Sequence, residues 1–184
     1  MKVLGKIWAC WAVVVFVFFM FVALPIYIVG IALWKQKAIQ RVNFISRAWA
    51  GFIFLLCGIR IKRSGVSPNP HQPMVLISNH LSALDIPLCA LMTSNPFKFL
   101  AKAELGKIPV LGWIIRNIYI TVDRSSKSGR IKSLETMKKA IKDGTSVFIY
   151  PEGTRNTTKE PLRNFHEGAF KLAIEAQVPI GILH

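Results

Sequence analysis

The first stretch of the chain is almost entirely apolar. No residue from Ile7 to Trp34 carries a charge, and about 20 apolar residues suffice for a helix to cross a bilayer. The run therefore predicts a helical membrane anchor. Pro25 leaves two interpretations open, a tilted single span or a broken, re-entrant hairpin in one leaflet. A cleaved signal peptide is disfavoured because the run is too long and lacks a small-x-small cleavage site.

The pattern then changes to helical spacing over residues 39–56. Apolar positions recur every three or four residues, with Arg41, Asn43 and Arg47 between them, which predicts an amphipathic helix. Such a helix lies naturally in the membrane interface, and packing against the domain that follows is the alternative. Glycines and prolines within residues 58–70 indicate a loop.

From residue 73 onward, short apolar runs alternate with helical stretches. The spacing of apolar residues from Ile131 to Ile141 predicts a helix that ends at Asp143-Gly144. Strands that alternate with helices predict an α/β domain with a mixed, mostly parallel sheet. We predict strands at Met74–Ser78, Phe97–Ala101, Ile118–Val122, Ser146–Tyr150 and Val178–Leu183, and a further helix at Asn164–Ala176.

The composition fits a membrane-attached globular domain. Of the 184 residues, 52% are hydrophobic, and the mean hydropathy of +0.41 is high for a soluble protein and low for a polytopic transporter. The length suits one domain with an appendage. We therefore expect an N-terminal membrane anchor and amphipathic helix over residues 1–64 and one α/β domain over residues 65–184.

The net charge of +15 is unevenly distributed, since residues 1–84 contain nine Lys and Arg and no acid. Such an excess attracts nucleic acid or an anionic membrane surface. The basic residues here border an apolar anchor rather than a polar, groove-reading domain, which favours the membrane and excludes nucleic acid as the expected partner. Cys10, Cys57 and Cys89 are widely spaced in apolar surroundings, which indicates neither a disulfide framework nor a zinc site.

Candidate chemistry lies at the end of the first predicted strand. His80 and Asp85 are five positions apart, so on one helix they would diverge by about 140°, but they can meet across a strand-to-helix turn. Ser82 at an N-cap spacing predicts that turn, with Asp85 in the first helical turn. Asp85 would then fix the His80 tautomer and leave the other ring nitrogen free to deprotonate an alcohol. The alternative is a helix-capping aspartate beside a loop histidine.

Two blocks in this order resemble a known family. Tyr150–Arg155, read Tyr-Pro-Glu-Gly-Thr-Arg, resembles the Phe-Pro-Glu-Gly-Thr-Arg block of the glycerophospholipid acyltransferases, and Asn79–Asp85 resembles their Asn-His-x-x-x-x-Asp block. The resemblance is closest to the 1-acylglycerol-3-phosphate acyltransferase (lysophosphatidate acyltransferase) branch. Further similar segments are Lys102–Leu105, Ile108–Trp113, Val122–Arg124 and Val178–Ile180.

The resemblance implies direct acyl transfer. His80 would deprotonate the sn-2 hydroxyl of 1-acylglycerol-3-phosphate, which then attacks the thioester of acyl-CoA or acyl-acyl carrier protein to give phosphatidic acid for phospholipid biosynthesis. No metal and no cofactor beyond this co-substrate is implied, and the expected location is the cytoplasmic face of the inner membrane. A planar Arg suits a phosphate and a Gly admits one close to the backbone. The implied acceptor-binding residues are Arg124, Glu152, Gly153, Thr154, Arg155 and Lys102. Glu152 would shape the acceptor loop or pair with an arginine, and a purely structural ion pair is the alternative.

The sequence also departs from the family pattern. Tyr150 replaces the usual Phe, Ile118 stands where the second block usually has Gly, and the chain ends at His184, whereas relatives continue. We therefore weigh a shortened chain and, with it, an inactive membrane scaffold. Within the enzyme class, the alternative acceptor is another lyso-lipid such as lyso-ornithine lipid. An acyl-carrying role for Cys89 and glycosylation at Asn156 are disfavoured.

Overall fold

The computed structural model describes residues 2–34, 38–65, 69, 71–109 and 111–183. Contacts between these residues group the chain into two compact units, Met1–Val66 and Ser67–His184. The C-terminal residue on which the expectation of a shortened chain rests, His184, lies outside the described residues.

The N-terminal unit is an antiparallel helical hairpin. Helix α1 spans Lys2–Trp34 and α2 spans Ala38–Leu56. Near one end, the Trp8 indole donates a hydrogen bond to the Cys57 carbonyl at 2.9 Å, and nearer the other end the Tyr27 and Ser46 hydroxyls lie 2.7 Å apart. Helix α2 therefore packs along α1. Its amphipathic pattern reflects that contact.

Helix α1 runs through Pro25 without a break, so the alternative in which the apolar run divides into two pieces does not occur. A proline removes one helical hydrogen bond, and the 33-residue helix continues on both sides of it. The helix is long and apolar enough over Val3–Leu33 to cross a membrane by length and composition.

The second unit contains a five-stranded sheet in which each strand pair is parallel among the described residues. The α/β class is confirmed. In chain order the elements are β1 (Val75–Ser78), α3 (Asp85–Met92), β2 (Phe97–Lys102), a 3-10 helix (Ala103–Lys107), α4 (Leu111–Ile118), β3 (Ile120–Val122), α5 (Lys127–Lys142), β4 (Ser146–Ile149), α6 (Gly168–Ala176) and β5 (Ile180–Leu183). The spatial order is β3-β2-β4-β1-β5.

The sheet is buried on both faces, as the apolar runs of its strands predict. On one face Val147 and Ile149 of β4 pack in a cluster with residues of α5 and α6. On the other face Phe148 packs with Phe97, Phe99 and Cys89 of β2 and α3. Burying each such side chain stabilises the fold by about 1.5–3 kcal/mol, and the two layers hold the strand ends in fixed positions.

Two predicted boundaries are wrong. Ile118 ends α4, and β3 begins at Ile120; a short apolar run fits a buried helix end as well as a strand, so its periodicity does not decide between them. Residues 164–167 are not helical, and α6 begins at Gly168. The backbone here bonds to the loop after β4 instead of forming a helical turn. The Arg163 N–H, just before this stretch, donates to the Glu152 carboxylate, and the His166 N–H donates to the Pro151 carbonyl.

The helix boundary differs from the predicted N-cap, but the hydrogen bonds of that cap are present. Helix α3 begins at Asp85, with Leu84 in the cap position and no cap bond from the Leu84 side chain. The Ser82 hydroxyl oxygen accepts from the Leu84 N–H at 3.2 Å, and the Asp85 carboxylate accepts from the Ser82 N–H at 2.7 Å. As predicted, Asp85 lies in the first turn of the helix, with His80 in the loop before it.

Candidate active site

The predicted site residues meet at one edge of the sheet. In a parallel sheet all carboxyl ends lie on the same side, where ligands of open α/β folds bind. His80 follows β1, Lys102 ends β2, Arg124 follows β3, and Glu152 follows β4. The strand order β3-β2-β4-β1 makes these ends neighbours, so segments far apart in sequence form one surface.

His80 and Asp85 form a hydrogen-bonded pair. The His80 Nδ1 lies 3.0 Å from Asp85 Oδ2, with the two side chains 18% and 19% exposed. The same oxygen accepts from the Leu81 and Ser82 backbone N–H groups, each at 2.7 Å. The carboxylate is thus fixed by the turn itself. It holds Nδ1 as a donor, which leaves Nε2 available to accept a proton.

Glu152 holds the backbone around this pair. Its side chain is buried, at 2% exposure, and Oε1 accepts from the His80 N–H at 2.9 Å while Oε2 accepts from the Arg163 N–H at 3.1 Å. The His80 carbonyl in turn accepts from the Asn156 N–H at 2.6 Å. The structure therefore uses the Glu152 carboxylate to join the two sequence blocks. These contacts agree with the loop-shaping role that the sequence suggested for Glu152, while a part in acceptor binding stays a prediction.

Tyr150 is a site residue that sequence reasoning missed. Its ring stacks on the His80 imidazole, with centroids 4.2 Å apart and planes 19° from parallel. Its hydroxyl lies 3.5 Å from the Cys89 sulfur. Burial raises the pKa of Tyr150 above its ordinary value and that of Cys89 to about 11. Both groups are therefore neutral at physiological pH. The alternation of β4, which puts Phe148 and Tyr150 on the same face, was the signal available in the sequence.

Gly153 has a backbone conformation that favours glycine. Its φ is +72°, and a Cβ there would lie 2.8 Å from His166 Cδ2 and 3.1 Å from Arg124 Nη1. The Arg124 guanidinium donates to the Gly153 carbonyl at 2.6 Å. The close approach thus fixes Arg124 against the loop that carries Arg155. The exposed His166 side chain lies against this loop.

Arg124 is itself held by the turn that follows β3. The Arg130 guanidinium donates to the Arg124 carbonyl at 2.6 Å. Hydrogen bonds from the Ser125 side chain and N–H lower the pKa of the Asp123 carboxyl below its ordinary value. A charged Asp123 and a bonded Arg124 carbonyl keep this exposed turn in one conformation.

The other predicted acceptor-binding residues are solvent-accessible at the same edge. Lys102 pairs with Val122 in the β2–β3 ladder, two positions from Arg124. Thr154 and Arg155 follow Gly153 in the loop. The side chains of Lys102, Thr154 and Arg155 are all exposed. The edge therefore presents cationic groups to solvent around a glycine turn, an arrangement that suits an anion.

A cavity of about 510 Å³ adjoins this edge. It lies between the sheet and helices α5 and α6, with an apolar floor that includes Leu100, Val122, Leu134, Met137, Ile149 and Ala169. Its other lining residues include the basic side chains of Arg124, Lys127, Arg130, His166 and Lys171. An apolar floor beneath cations suits an amphiphile with an anionic head group.

The glycosylation sequon noted in the sequence is buried. Asn156, within a glycosylation sequon, is 5% exposed and donates its amide to the Glu160 carbonyl, so it is inaccessible to glycosylation. No group of three His, Cys, Asp or Glu side chains in the described part of the chain is placed to hold a metal ion.

Comparison with known proteins gives a consistent result. Residues 58–181 match the family model described as Acyltransferase. The chain is 33% identical over 146 residues to a chloroplastic 1-acyl-sn-glycerol-3-phosphate acyltransferase of Arabidopsis thaliana, covering 77% of this chain and 40% of that protein. It is 31% identical over 137 residues to the lyso-ornithine lipid O-acyltransferase of Pseudomonas aeruginosa, covering 74% and 51%. The chain thus spans roughly half or less of these relatives' length.

A solved structure shares the fold. The crystal structure of the 1-acyl-sn-glycerophosphate acyltransferase PlsC from Thermotoga maritima superimposes with a TM-score of 0.74 at 23% identity. The match covers 95% of this chain and 73% of that one. At this identity the likeness concerns the fold.

Proposed function

This chain belongs to the acyltransferase family, and we propose that it transfers a fatty acyl group from a thioester donor to the sn-2 hydroxyl of 1-acylglycerol-3-phosphate, giving phosphatidic acid. The observation that carries the proposal is the contact of His80 Nδ1 with Asp85 Oδ2 at 3.0 Å, at the same sheet edge as the Gly153 loop. A base and an anion-binding loop are the two elements that this reaction needs.

The reaction follows from the orientation of the imidazole. The Nε2 atom of His80 takes the proton of the acceptor hydroxyl as its oxygen attacks the thioester carbonyl. The new C–O bond forms, the C–S bond breaks, and the imidazolium returns its proton to the departing thiolate. No acyl-enzyme, metal or further cofactor is required. A positioned base of this kind contributes about 10² to 10⁴ in rate.

The cations at the edge support a phosphate-bearing acceptor. Arg124 is fixed beside Gly153 at 2.6 Å, while Arg155 and Lys102 are exposed nearby in the fold. A guanidinium binds phosphate oxygens through two parallel hydrogen bonds. The adjoining cavity is lined by apolar side chains and also by Arg124 and His166. It suits the remainder of a lipid substrate.

A membrane location accords with the substrates. Helix α1 has the length and composition of a membrane span, and lipid acceptors are delivered from a bilayer. Acyl-CoA and acyl-acyl carrier protein are both cytoplasmic donors, so we propose that the site works at the cytoplasmic face of the inner membrane. Either donor satisfies the chemistry.

The test is acyl transfer by detergent-purified protein. Radiolabelled acyl-CoA and acyl-acyl carrier protein are supplied in parallel, with lysophosphatidate as acceptor and His80→Ala as the control. We expect phosphatidic acid that depends on His80. Absence of product with both donors and this acceptor would overturn the proposal.

The second candidate acceptor is lyso-ornithine lipid. The similarity to the lyso-ornithine lipid O-acyltransferase of Pseudomonas aeruginosa, which covers 74% of this chain, favours this acceptor. The same assay with lyso-ornithine lipid distinguishes the two acceptors, since a phosphate-selective site should prefer lysophosphatidate. Product with neither acceptor would support the remaining alternative, an inactive membrane scaffold.

A further inference from the structure

We propose that Tyr150 is a positioning residue for His80, whose ring face orients the imidazole and stabilises the imidazolium formed during proton transfer. The inference deepens the proposed function and rests on it. It concerns a residue that the sequence marked only as a mild departure from a phenylalanine.

The geometry gives Tyr150 a contact that no other described aromatic ring makes with His80. The rings lie 4.2 Å apart and 19° from parallel. Asp85 contacts the edge of the same imidazole at Nδ1, 3.0 Å away. An edge contact and a face contact together restrict both rotation and tilt of the ring. Because Glu152 and Asn156 also fix the His80 backbone, Nε2 points in one direction before substrate binds.

The electrostatics of the contact favour the protonated ring. The π face of an aromatic side chain is negative, and it attracts a cation placed over it. In the described part of the chain, hydrogen bonds link three further titratable groups to His80 or to Tyr150 behind it. Asp85 faces Nδ1 from the start of α3, the Glu152 carboxylate binds the His80 N–H, and the Cys89 thiol of α3 lies behind Tyr150. The buried tyrosine and cysteine stay neutral, so the ring acts through its face.

The ring, rather than the hydroxyl, carries this role. The hydroxyl points away from the imidazole towards Cys89, at 3.5 Å. Phe148 and Phe99 pack on the Tyr150 ring, with centroids 5.3 Å and 6.2 Å away, and hold it in place. A phenylalanine at this position would keep the stacked face, whereas an aliphatic side chain would remove it.

The experiment compares Tyr150→Leu with Tyr150→Phe and with Phe97→Leu. Phe97 belongs to the same buried cluster and its ring contacts Phe99 and Phe148, so its loss controls for a weakened core. Steady-state rates are measured from pH 5 to 9. In parallel, the His80 pKa is measured by NMR of ring-labelled histidine, with His80→Ala identifying its resonance among the four histidines.

We expect Tyr150→Leu to lower kcat about tenfold, within the contribution of a general base, with the acceptor KM unchanged. Its His80 pKa and the acid limb of kcat/KM should both fall by about half a unit to one unit, the size that a cation–π contact supports. Tyr150→Phe and Phe97→Leu should keep the wild-type pKa. If Tyr150→Leu does not fold, Tyr150→Met takes its place, because the flexible, unbranched side chain of Met fills irregular gaps in a core.

Equal pKa values of His80 in the wild type and the aliphatic variant would overturn the inference, as would the same kinetic loss in Phe97→Leu. The NMR titration does not require turnover. If the wild type fails to transfer an acyl group, the proposed function fails, while the titration still decides whether Tyr150 supports the imidazolium.

Discussion

Glu152 and His80 are 72 positions apart in sequence, and the carboxylate of the first accepts the backbone N–H of the second at 2.9 Å. The other carboxylate oxygen accepts the Arg163 N–H at 3.1 Å. One buried acid therefore determines where the loop after β1 and the loop after β4 lie. The two oxygens of Glu152 thus hold His80 and the loop after β4 together.

This arrangement predicts that Glu152→Gln destabilises the protein. The amide has one acceptor oxygen, so its NH₂ group would face a backbone N–H, and leaving a buried donor unpaired costs about 1–3 kcal/mol. We expect a free energy of unfolding lower by that amount and a reduced kcat, measured by denaturant unfolding and by acyl transfer. Glu160→Gln, an exposed acid in the same loop, is the matched control. Unchanged stability in Glu152→Gln would contradict the assignment.

The His80–Asp85 pair gives a second prediction. His80→Ala should abolish transfer while the protein still folds, because Asp85 keeps its bonds from the Leu81 and Ser82 N–H groups. Asp85→Asn keeps an oxygen for the Leu81 and Ser82 N–H groups but no longer favours the required tautomer, so kcat should fall by about 10² to 10⁴. His71→Ala, an exposed histidine, serves as the control. Normal turnover by His80→Ala would remove the base from the mechanism.

The positions of the main site residues could be predicted from the sequence, but several contacts between them could not. The meeting of His80 and Asp85 was predictable because residues five positions apart can meet across a strand-to-helix turn but not on one helix face. The shared edge was predictable because parallel strands end together. The Tyr150 stack and the packing of His166 against Gly153 were not, and for Glu152 the sequence left loop shaping and an ion pair both open. Each depends on how two distant loops meet, which local periodicity does not encode.

Arg155 should act on binding rather than on chemistry. It is exposed in the Gly153 loop, and a phosphate anchor that is engaged in both the ground and transition states raises KM when lost, with kcat unchanged. We expect Arg155→Ala to raise the acceptor KM about tenfold or more, the effect of losing a charge-assisted bond of roughly 1.5–3 kcal/mol. Lys159→Ala, an exposed cation four positions on, should leave KM unchanged. If Arg155→Ala and Lys159→Ala have the same acceptor KM, the acceptor phosphate does not bind at Arg155.

Gly153→Ala should be harmful for two separable reasons. A residue with a Cβ at φ +72° costs about 1–2 kcal/mol, and the new carbon would lie 2.8 Å from His166 Cδ2. Adding His166→Ala removes the clash but not the backbone cost. Denaturant unfolding should therefore show that Gly153→Ala is less stable than the wild type. The loss of unfolding free energy caused by Gly153→Ala should be smaller when it is made in the His166→Ala background. Simple additivity of the two changes would contradict the packing described.

The last prediction concerns Cys89, the alternative nucleophile. Burial raises its pKa from 9.0 to about 11, so at pH 8 about one thiol in a thousand is ionised when folded and about one in ten when unfolded. In a variant that keeps only this cysteine, alkylation at pH 8 should be roughly a hundredfold slower in the native protein than in urea.

Because the folded pKa is the higher one, the stability linked to this group is complete below pH 9 and is lost as pH rises through about 11. Cys89→Ala should therefore lose less stability than the wild type between pH 8 and 11, and it should retain acyl transfer. Rapid acylation of Cys89 by the donor at pH 7, followed by loss of turnover in Cys89→Ala, would instead require an acyl-enzyme and exclude direct attack by the acceptor.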